Sequence, residues 1–303
     1  MNPHAGAAAP LFMVGHLTVD DIVLPDGTTR MQQIGGAPVF AATGARLAGG
    51  RPCVVTALAP SLPTRVREWL AEEEIALLDC GRASRHITQW VLYETTGERT
   101  FLHHPASADL YEAAPLAECW HPAGPPAWAH IAPMPVSLQA AWVRALTGAG
   151  LSVTLDPHED CSAEHGDAVL ELLPRLTAFM PSEQEAASLF GRADMTAAAA
   201  AFVAAGARLC VIKLGAAGCV VATAAGSWRL PSVATSVVDT TGAGDSFCGA
   251  FVAALASGHA PETAARYGTA AASYTVQCFG VPSLRGGSPA DWSLRLNRIR
   301  TAA

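Results

Sequence analysis

Short runs of Val, Leu and Ile alternate with segments of helical periodicity along most of this chain, and this alternation constrains the fold more than any other feature. Most runs are continuously apolar, which is typical of strands buried on both faces of a sheet. The predicted strands begin at Leu11, Cys53, His130, Leu151, Leu176 and Leu209. The predicted helices span residues 38–48, 63–74, 136–149, 183–190 and 196–205. This order predicts an α/β fold with a mainly parallel central sheet and helices on both faces.

The last third of the chain adds two strand candidates, near Cys219 and Trp228, and two Ala-rich helices over 243–257 and 261–277. Two other segments, about 20–34 and 86–102, do not fit this layered pattern. Each carries a turn signal near its middle, PDG in the first and TTGE in the second. We expect the two segments to pair into a small β-sheet lid beside the main layer, covering a cleft. The alternative is two ordinary surface hairpins.

Composition limits the domain organisation and the partners. The chain has 303 residues, of which 50% are hydrophobic and 15% are charged, against a usual charged share of about 25%. This composition excludes a disordered chain and predicts one lobed domain over 11–303, preceded by a flexible tail over 1–10. The net charge of −7 has the wrong sign for attracting phosphate backbones or anionic lipid. Nucleic acid and membrane surfaces are therefore not expected as partners.

The cysteines indicate a reducing compartment. All 8 are scattered singly, so zinc-knuckle and CxxC spacings are absent from the sequence. Several, such as Cys210 and Cys219, lie inside apolar runs, where a free thiol behaves as a small hydrophobe. No stretch of about 18 apolar residues free of charge is present. These features predict a soluble cytoplasmic protein with reduced core cysteines.

The strongest chemical signal is VVDTTGAGDSFCGAFVAAL, residues 237–255. An extended segment runs into three small residues, Gly242, Ala243 and Gly244, and then into an apolar helix. A helix N-terminus presents N–H donors and the positive end of the macrodipole, so this turn is suited to hold an anion. Asp245 lies in the first helical turn, where a carboxylate is also favoured for purely structural reasons. Beside an anion site, however, a carboxylate is positioned to act as a base toward an attacking hydroxyl.

At these residues the sequence resembles the PfkB/ribokinase-like carbohydrate kinases. DTTGAGDSF looks like their second signature, and GGAPVFAATGARLAG from Gly35 looks like their glycine-rich first one. PSEQEAASLFG at 181–191 and KLGAAG at 213–218 follow in the same order, so the resemblance covers nearly the whole chain. It implies a ribokinase-like three-layer α/β/α sandwich, ATP-dependent phosphoryl transfer to an alcohol, and Mg²⁺.

The resemblance also implies roles for individual residues at the catalytic and acceptor sites. Asp245 matches the catalytic base, and Gly242, Ala243 and Gly244 match the anion hole. Asp20 matches a carboxylate that binds sugar hydroxyls, although register could favour its neighbour Asp21. Gly35 and Gly36 match glycines that let the substrate approach the backbone; a plain turn and helix cap is the alternative.

Further matches concern the nucleotide and the metals. Glu185 matches a family glutamate linked to magnesium, through water, but this chain has Ser182 in place of the family's Asn. Ser182 and Glu185 also read as a capping box in their own right. The nucleotide is expected to contact Lys213, Gly215, Gly218 and Thr241, although a lysine that ends an apolar strand can simply extend to solvent. Asp239, with Thr241, matches a loop that binds a monovalent cation such as K⁺ in some members.

The acceptor region departs from ribokinase itself. The run after Gly36 is Ala-Pro-Val-Phe rather than a polar stretch. We expect Phe40, Trp90 and His103 or His104 to line a pocket for a ring with an apolar face, such as a nucleoside, a deoxy or methylated sugar, or a cyclitol. Alternatively, Phe40 belongs to the helix core and the histidines end a polar strand.

The sequence therefore predicts an ATP-dependent kinase for a hydroxyl of a small sugar, nucleoside or cyclitol. One alternative is a vitamin-precursor kinase of the pyridoxal or hydroxymethylpyrimidine type. A second is a non-catalytic sugar or nucleotide sensor on the same fold. Because lid strands often pair between subunits in the family that the sequence resembles, the resemblance also implies a homodimer formed through the lid.

Overall fold

The computed structural model describes residues 10–95, 99–121, 128–158, 165–191, 194–233, 235–281 and 289–299. Its strands are β1 (Leu11–Val14), β2 (Thr18–Val23), β3 (Thr29–Gly35), β4 (Pro52–Thr56), β5 (Ala76–Asp79), β6 (Ile87–Tyr93), β7 (Arg99–His103), β8 (Trp128–Ile131), β9 (Ser152–Leu155), β10 (Ala178–Phe179), β11 (Leu209–Lys213), β12 (Cys219–Thr223) and β13 (Gly226–Leu230). Its α-helices are α1 (Ala37–Leu47), α2 (Thr64–Glu72), α3 (Val136–Gly148), α4 (Gly166–Leu170), α5 (Glu183–Phe190), α6 (Met195–Ala204), α7 (Ala243–Ala256), α8 (Pro261–Thr275) and α9 (Pro289–Arg298).

The main sheet of the described residues has nine strands in the order β13-β12-β11-β10-β9-β8-β1-β4-β5. From β11 to β5 every neighbouring pair is parallel, whereas β12 runs antiparallel to both β11 and β13. Parallel strands place their carboxyl ends at one edge of the sheet, and that edge is where open α/β sheets bind ligands. The strand order therefore determines where the site can lie.

Helices cover both faces of this sheet. Successive strand residues point to opposite faces, so Val14 packs with the core beneath α3 to α6, whereas Met13 packs with the core beneath α1 and α2. The helices α7 and α8 close a third core on the same face as α1, and Trp292 and Leu296 of α9 pack against it. The predicted three-layer α/β/α sandwich with a mainly parallel sheet is confirmed.

A second, four-stranded sheet has the order β3-β2-β6-β7. The strand β2 pairs antiparallel with β3 and parallel with β6, and β6 pairs antiparallel with β7. The two segments that did not fit the layered pattern therefore pair with each other, as predicted, and we refer to these four strands as the lid sheet.

Several elements were not predicted. The edge strand β5 was not predicted because three of its four residues are exposed, so its sequence shows neither a buried apolar run nor alternation. The short helix α4 and the C-terminal helix α9 were also missed. The Leu176 run contributes only two residues to the sheet as β10. Most of the predicted tail and of the TTGE turn lies outside the described residues. Among the helices of the described ranges, none is long and apolar enough to cross a membrane.

The helices α1 and α7 pack with their backbones almost in contact. A Cβ atom added to Gly249 of α7 would lie 1.7 Å from the carbonyl oxygen of Ala41, and one added to Gly44 of α1 would lie 2.0 Å from that of Ser246. The Ser246 hydroxyl also donates to the carbonyl oxygen of Phe40 at 3.2 Å. Both helices begin at the same side of the molecule, so this contact sets the distance between their N-termini.

We expect Gly249→Ala to destabilise the protein by about 3 kcal/mol, because the added methyl group has to push two helix backbones apart. Gly148→Ala is the matched control: Gly148 ends α3, and a Cβ there meets nothing within 4 Å, so its effect should stay within about 0.5 kcal/mol. Urea unfolding of both variants measures the difference. Equal midpoints for the two variants would contradict the close helix contact.

Candidate active site

A cavity of about 670 Å³ lies between the carboxyl ends of the parallel strands and the lid sheet. The main-sheet side contributes loop and strand-end residues, and the lid contributes residues from β2, β6 and β7. The residues that line it are His16, Thr18, Asp20, Gly36, Ala37, Phe40, Ile87, Gln89, Arg99, Thr100, Phe101, His103, Leu110, Pro133, Asp156, His158, Glu185, Lys213, Thr240, Thr241, Gly242, Gly244 and Asp245. Ten of the sixteen predicted site residues are thus brought to one cavity.

The N-terminus of α7 opens onto this cavity. Gly242 has φ of 72°, and a Cβ atom there would lie 2.1 Å from the Phe40 ring, so only glycine fits between the loop and α1. The N–H of Ser246 donates to the Gly242 carbonyl at 2.9 Å, and the N–H of Ala243 donates to the Thr240 carbonyl at 3.3 Å. The N–H groups of Gly244 and Asp245 therefore precede the regular helical bonds. The turn combines a helix dipole with small residues, which is an anion-binding arrangement.

Asp245 lines the cavity from the first turn of α7. Burial raises the pKa of its carboxyl group, and the positive charges of Lys213 and Arg99 offset part of that rise. A carboxylate with a raised pKa and an exposed edge toward the cavity can accept a proton from a bound hydroxyl.

Lys213, at the end of β11, places an ammonium group beside the anion-binding turn. A Cβ atom on Gly244 would lie 3.5 Å from its Nζ. Burial lowers the pKa of Lys213, but nearby groups that carry or can acquire negative charge together outweigh burial and raise it. These groups are Asp156, to which Nζ donates a hydrogen bond, Cys248 and Glu185. The side chain is therefore charged and is held toward the cavity rather than extended to solvent.

The lid carries Asp20 into the cavity on β2. Asp20 is 5% exposed, and Gln89 of β6 donates to its Oδ1 at 3.0 Å. Burial raises the pKa of Asp20 to about 6. The neighbouring Asp21 points the other way, where its Oδ1 accepts from the N–H of Gln32 at 2.5 Å and its Oδ2 lies 3.3 Å from Nε2 of His104. Of the two registers left open by the sequence, the structure has Asp20 facing the cavity.

The two predicted glycines, Gly35 and Gly36, lie differently with respect to the cavity. Gly35 is not a lining residue, but a Cβ there would lie 2.0 Å from Oδ2 of Asp20, so its lack of a side chain makes room for the carboxylate. Gly36 does line the cavity, ahead of α1.

Of the three side chains expected to contact the ring of the acceptor, two face the cavity and one faces away from it. Phe40 and His103 line the cavity. Trp90 does not, because Ile87 and Gln89 point into the cavity and alternation along β6 turns Trp90 to the outer face of the lid. There its ring packs on His104 with centroids 4.0 Å apart. The structure therefore corrects the expectation that Trp90 lines the pocket.

Glu185 both caps a helix and lines the cavity. Ser182 donates its N–H to Oε2 of Glu185 at 2.6 Å, and the N–H of Glu185 donates to the Ser182 hydroxyl at 3.2 Å. This capping box begins α5. The Glu185 side chain nevertheless lines the cavity, so the cap holds a carboxylate at the cavity wall.

The remaining predicted residues lie around the edge of the site. Gly215 and Gly218 form the turn after β11 and are not lining residues, whereas Thr241 is. Asp239 is 2% exposed and lies behind Thr241. Its carboxylate accepts from the Tyr93 hydroxyl, from the N–H of Thr241 at 2.7 Å and from that of Gly280 at 3.3 Å. The carboxylate that the resemblance links to a monovalent cation thus accepts three hydrogen bonds from the protein.

Sequence reasoning missed several residues of the site. Tyr93 connects the lid to the anion-binding loop, because its hydroxyl also lies 2.6 Å from Oγ1 of Thr241. Arg99 donates to the same oxygen at 3.4 Å. Neither residue carries a local signal, since the partner is more than a hundred positions away in the chain. Asp156 did carry one: it directly follows β9, at the carboxyl end of a parallel strand.

Known proteins match this chain over most of its length. Residues 13–284 match the sequence model of the pfkB family carbohydrate kinases. A cytidine kinase from Thermococcus kodakarensis is 29% identical over 293 residues, covering 94% of this chain and 98% of the relative. A fructokinase from Klebsiella pneumoniae is 29% identical over 84% of this chain and 87% of the relative.

The same fold occurs in a solved structure of a Burkholderia thailandensis nucleoside kinase in complex with inosine. It superposes with a TM-score of 0.77 at 18% sequence identity, covering 95% of this chain and 96% of that one. Since the family model spans most of the chain, this protein belongs to the pfkB family of carbohydrate kinases and is a phosphotransferase with an alcohol group as acceptor.

Proposed function

We propose that this kinase transfers the γ-phosphoryl group of ATP to a sugar hydroxyl of a nucleoside, with Asp245 as the general base. One observation carries the proposal: Asp245, at the positive end of α7, and Asp20, on the lid, line the same cavity. One carboxylate is thus positioned to hold the acceptor and the other to activate it.

Asp245 accepts the proton of the acceptor hydroxyl as the hydroxyl oxygen attacks the γ-phosphorus atom. The bond from that phosphorus to the bridging oxygen breaks, and ADP leaves with the electron pair. Charge develops on the transferred group, beside the N–H groups that begin α7 and the ammonium of Lys213. Donors that are already oriented before the reaction stabilise such charge with little reorganisation.

The nucleotide and its metal fit the same edge of the cavity. Glu185 offers a carboxylate for Mg²⁺, directly or through water, and Lys213, Thr241 and Gly244 line the wall on which the phosphates would lie. When bound, Mg²⁺ neutralises charge on the phosphate oxygens. The residues present therefore fit both groups, with Ser182 retaining its capping role.

The acceptor end of the cavity supports a nucleoside. Asp20 and Gln89 offer an acceptor and an amide to vicinal hydroxyls, while Phe40, Ile87, Phe101 and Leu110 supply apolar surface for a flat ring. Burial lowers the pKa of His16 to about 4, so this imidazole is neutral and donates from Nε2 to the Leu110 carbonyl at 2.7 Å. The cytidine kinase that matches nearly the full chain supports the same acceptor class.

A hexose is the second acceptor class, favoured by the fructokinase that matches 84% of the chain. A sugar alone would use Asp20 and Gln89 but leave the apolar side chains of β6 and β7 without a ring to cover. This difference in contact area is the reason to place nucleosides first.

Replacing Asp245 tests the base. We expect Asp245→Asn to lower kcat by two to four orders of magnitude, because an amide cannot accept the hydroxyl proton. Asp194→Asn is the matched control: Asp194 caps α6 at the surface through Thr196, and asparagine caps equally well. Release of ADP measures both. A kcat for Asp245→Asn within tenfold of the wild type would refute the assignment.

Replacing Asp20 tests the acceptor site and should also increase the stability of the protein. The folded-state pKa of about 6 lies above the usual 3.8, so the stability that this group contributes is present below about pH 4 and is lost as pH rises through 6. We expect Asp20→Asn to raise the free energy of unfolding by about 3 kcal/mol at pH 7.5 and to leave it unchanged at pH 4.

The same variant should raise the acceptor KM at least tenfold, since a neutral amide binds the hydroxyls less strongly. Asp21→Asn, on the other face of β2, should leave that KM unchanged. Urea unfolding at the two pH values and steady-state kinetics measure these effects. A stability gain that persists at pH 4 would contradict the buried ionised carboxylate.

An acceptor panel tests the substrate class. With ATP and Mg²⁺ present, we expect at least one of cytidine, inosine, adenosine or uridine to give a kcat/KM at least a hundredfold above fructose and ribose. Coupled detection of ADP measures all of them under one condition. If a hexose gave the highest kcat/KM of the panel, the nucleoside assignment would be overturned and the kinase reaction would still stand.

A further inference from the structure

Behind the wall of the cavity, three potential metal ligands converge from β8, from the residue after β9 and from α7. One ring nitrogen of His130, one carboxylate oxygen of Asp156 and the sulfur of Cys248 all lie within 4.8 Å of one another. His130 and Cys248 are fully buried, and Asp156 is 2% exposed. The sequence spacing shows none of this, since the three residues are dozens of positions apart.

Two of these side chains have a buried polar atom without a hydrogen-bond partner among the described residues: Nε2 of His130 and Oδ1 of Asp156. Leaving such an atom unpaired lowers stability, because the desolvation of the atom is not compensated. Each buried case in a native protein therefore calls for an occupant. Here both unpaired atoms belong to one cluster that also contains a thiol.

The hydrogen bonds around His130 orient it as a ligand. Its Nδ1 lies 2.9 Å from Oγ1 of Thr154, and that hydroxyl donates to the carbonyl oxygen of Ala129 at 3.4 Å. When the Thr154 hydroxyl donates to Ala129, Nδ1 of His130 can carry the proton and donate to Thr154. In that tautomer Nε2, which has no hydrogen-bond partner among the described residues, keeps a lone pair for a metal ion, as metal-binding histidines do.

We propose that His130, Asp156 and Cys248 bind a single divalent cation of the zinc type. Imidazole and thiolate are ligands for Zn²⁺, Co²⁺ and Cd²⁺ rather than for Mg²⁺, which prefers oxygen. Three protein ligands leave the fourth tetrahedral position to water. Asp156 lines the cavity, so the ion can enter from there. On binding, the Cys248 thiol releases its proton to solvent.

The site shares a ligand with the catalytic region. Oδ2 of Asp156 accepts from Nζ of Lys213, and that Nζ lies 3.7 Å from the sulfur of Cys248. The ion and the ammonium group therefore compete for one carboxylate, and a bound ion repels Lys213 from its position beside Gly244. Binding of the ion should inhibit phosphoryl transfer; this consequence rests on the proposed function, whereas the binding itself does not.

A Co²⁺ titration of metal-free, reduced enzyme tests the site directly. We expect a sulfur-to-cobalt charge-transfer absorption band that saturates at one equivalent. The band should disappear in Cys248→Ser and persist in Cys210→Ser, which removes another fully buried thiol, in β11. His130→Gln removes a second ligand and leaves every thiol in place. Circular dichroism checks that each variant is folded.

Replacing the competing cation provides an independent readout. Lys213→Met should bind Co²⁺ at least fivefold more tightly than the wild type, because the ion no longer shares Asp156 with an ammonium group. Absence of the band in the wild type, or a band unchanged in both Cys248→Ser and His130→Gln, would overturn the proposal and indicate a buried water in the cluster.

Discussion

The close contact between α1 and α7 is the interaction on which the rest of the site depends. Gly44 and Gly249 allow the two helix backbones to touch, and the Ser246 hydroxyl joins them to the buried Thr275 of α8 at 2.8 Å. Both helices begin at the cavity, one after Gly36 and the other after Gly242. A larger side chain at the contact would move apart the two helix N-termini that open onto the cavity.

The cavity holds buried carboxylates, and their charge lowers the stability of the fold. Burial raises the pKa of Asp20 and of Asp245, so each ionised carboxylate works against folding. Lys213 and Arg99 offset part of this cost for Asp245. The Tyr93 hydroxyl joins the lid to Asp239 and Thr241, so hydrogen bonds hold the lid against the loop that precedes α7.

Most of the main sheet was predictable from the sequence because most of its strands carry a local signal. A strand buried on both faces has to be apolar throughout, and the runs at Leu11, Cys53 and Leu209 satisfy this condition without reference to any partner. The edge strand β5 does not satisfy this condition, because three of its four residues are exposed. The pairing of the lid segments was predictable only from their failure to fit the layers.

For the site, the sequence alone determined the residues whose roles depend on local geometry: the GAGD turn at a helix N-terminus, the capping box of Glu185 and the glycines before α1. Only the tertiary structure decided which side of β2 faces the cavity, that Trp90 faces away from it, and that Tyr93, Asp156 and Cys248 meet partners distant in the chain. Local signals arise from backbone conformation within a few residues, whereas contacts between distant residues exist only after the layers have packed.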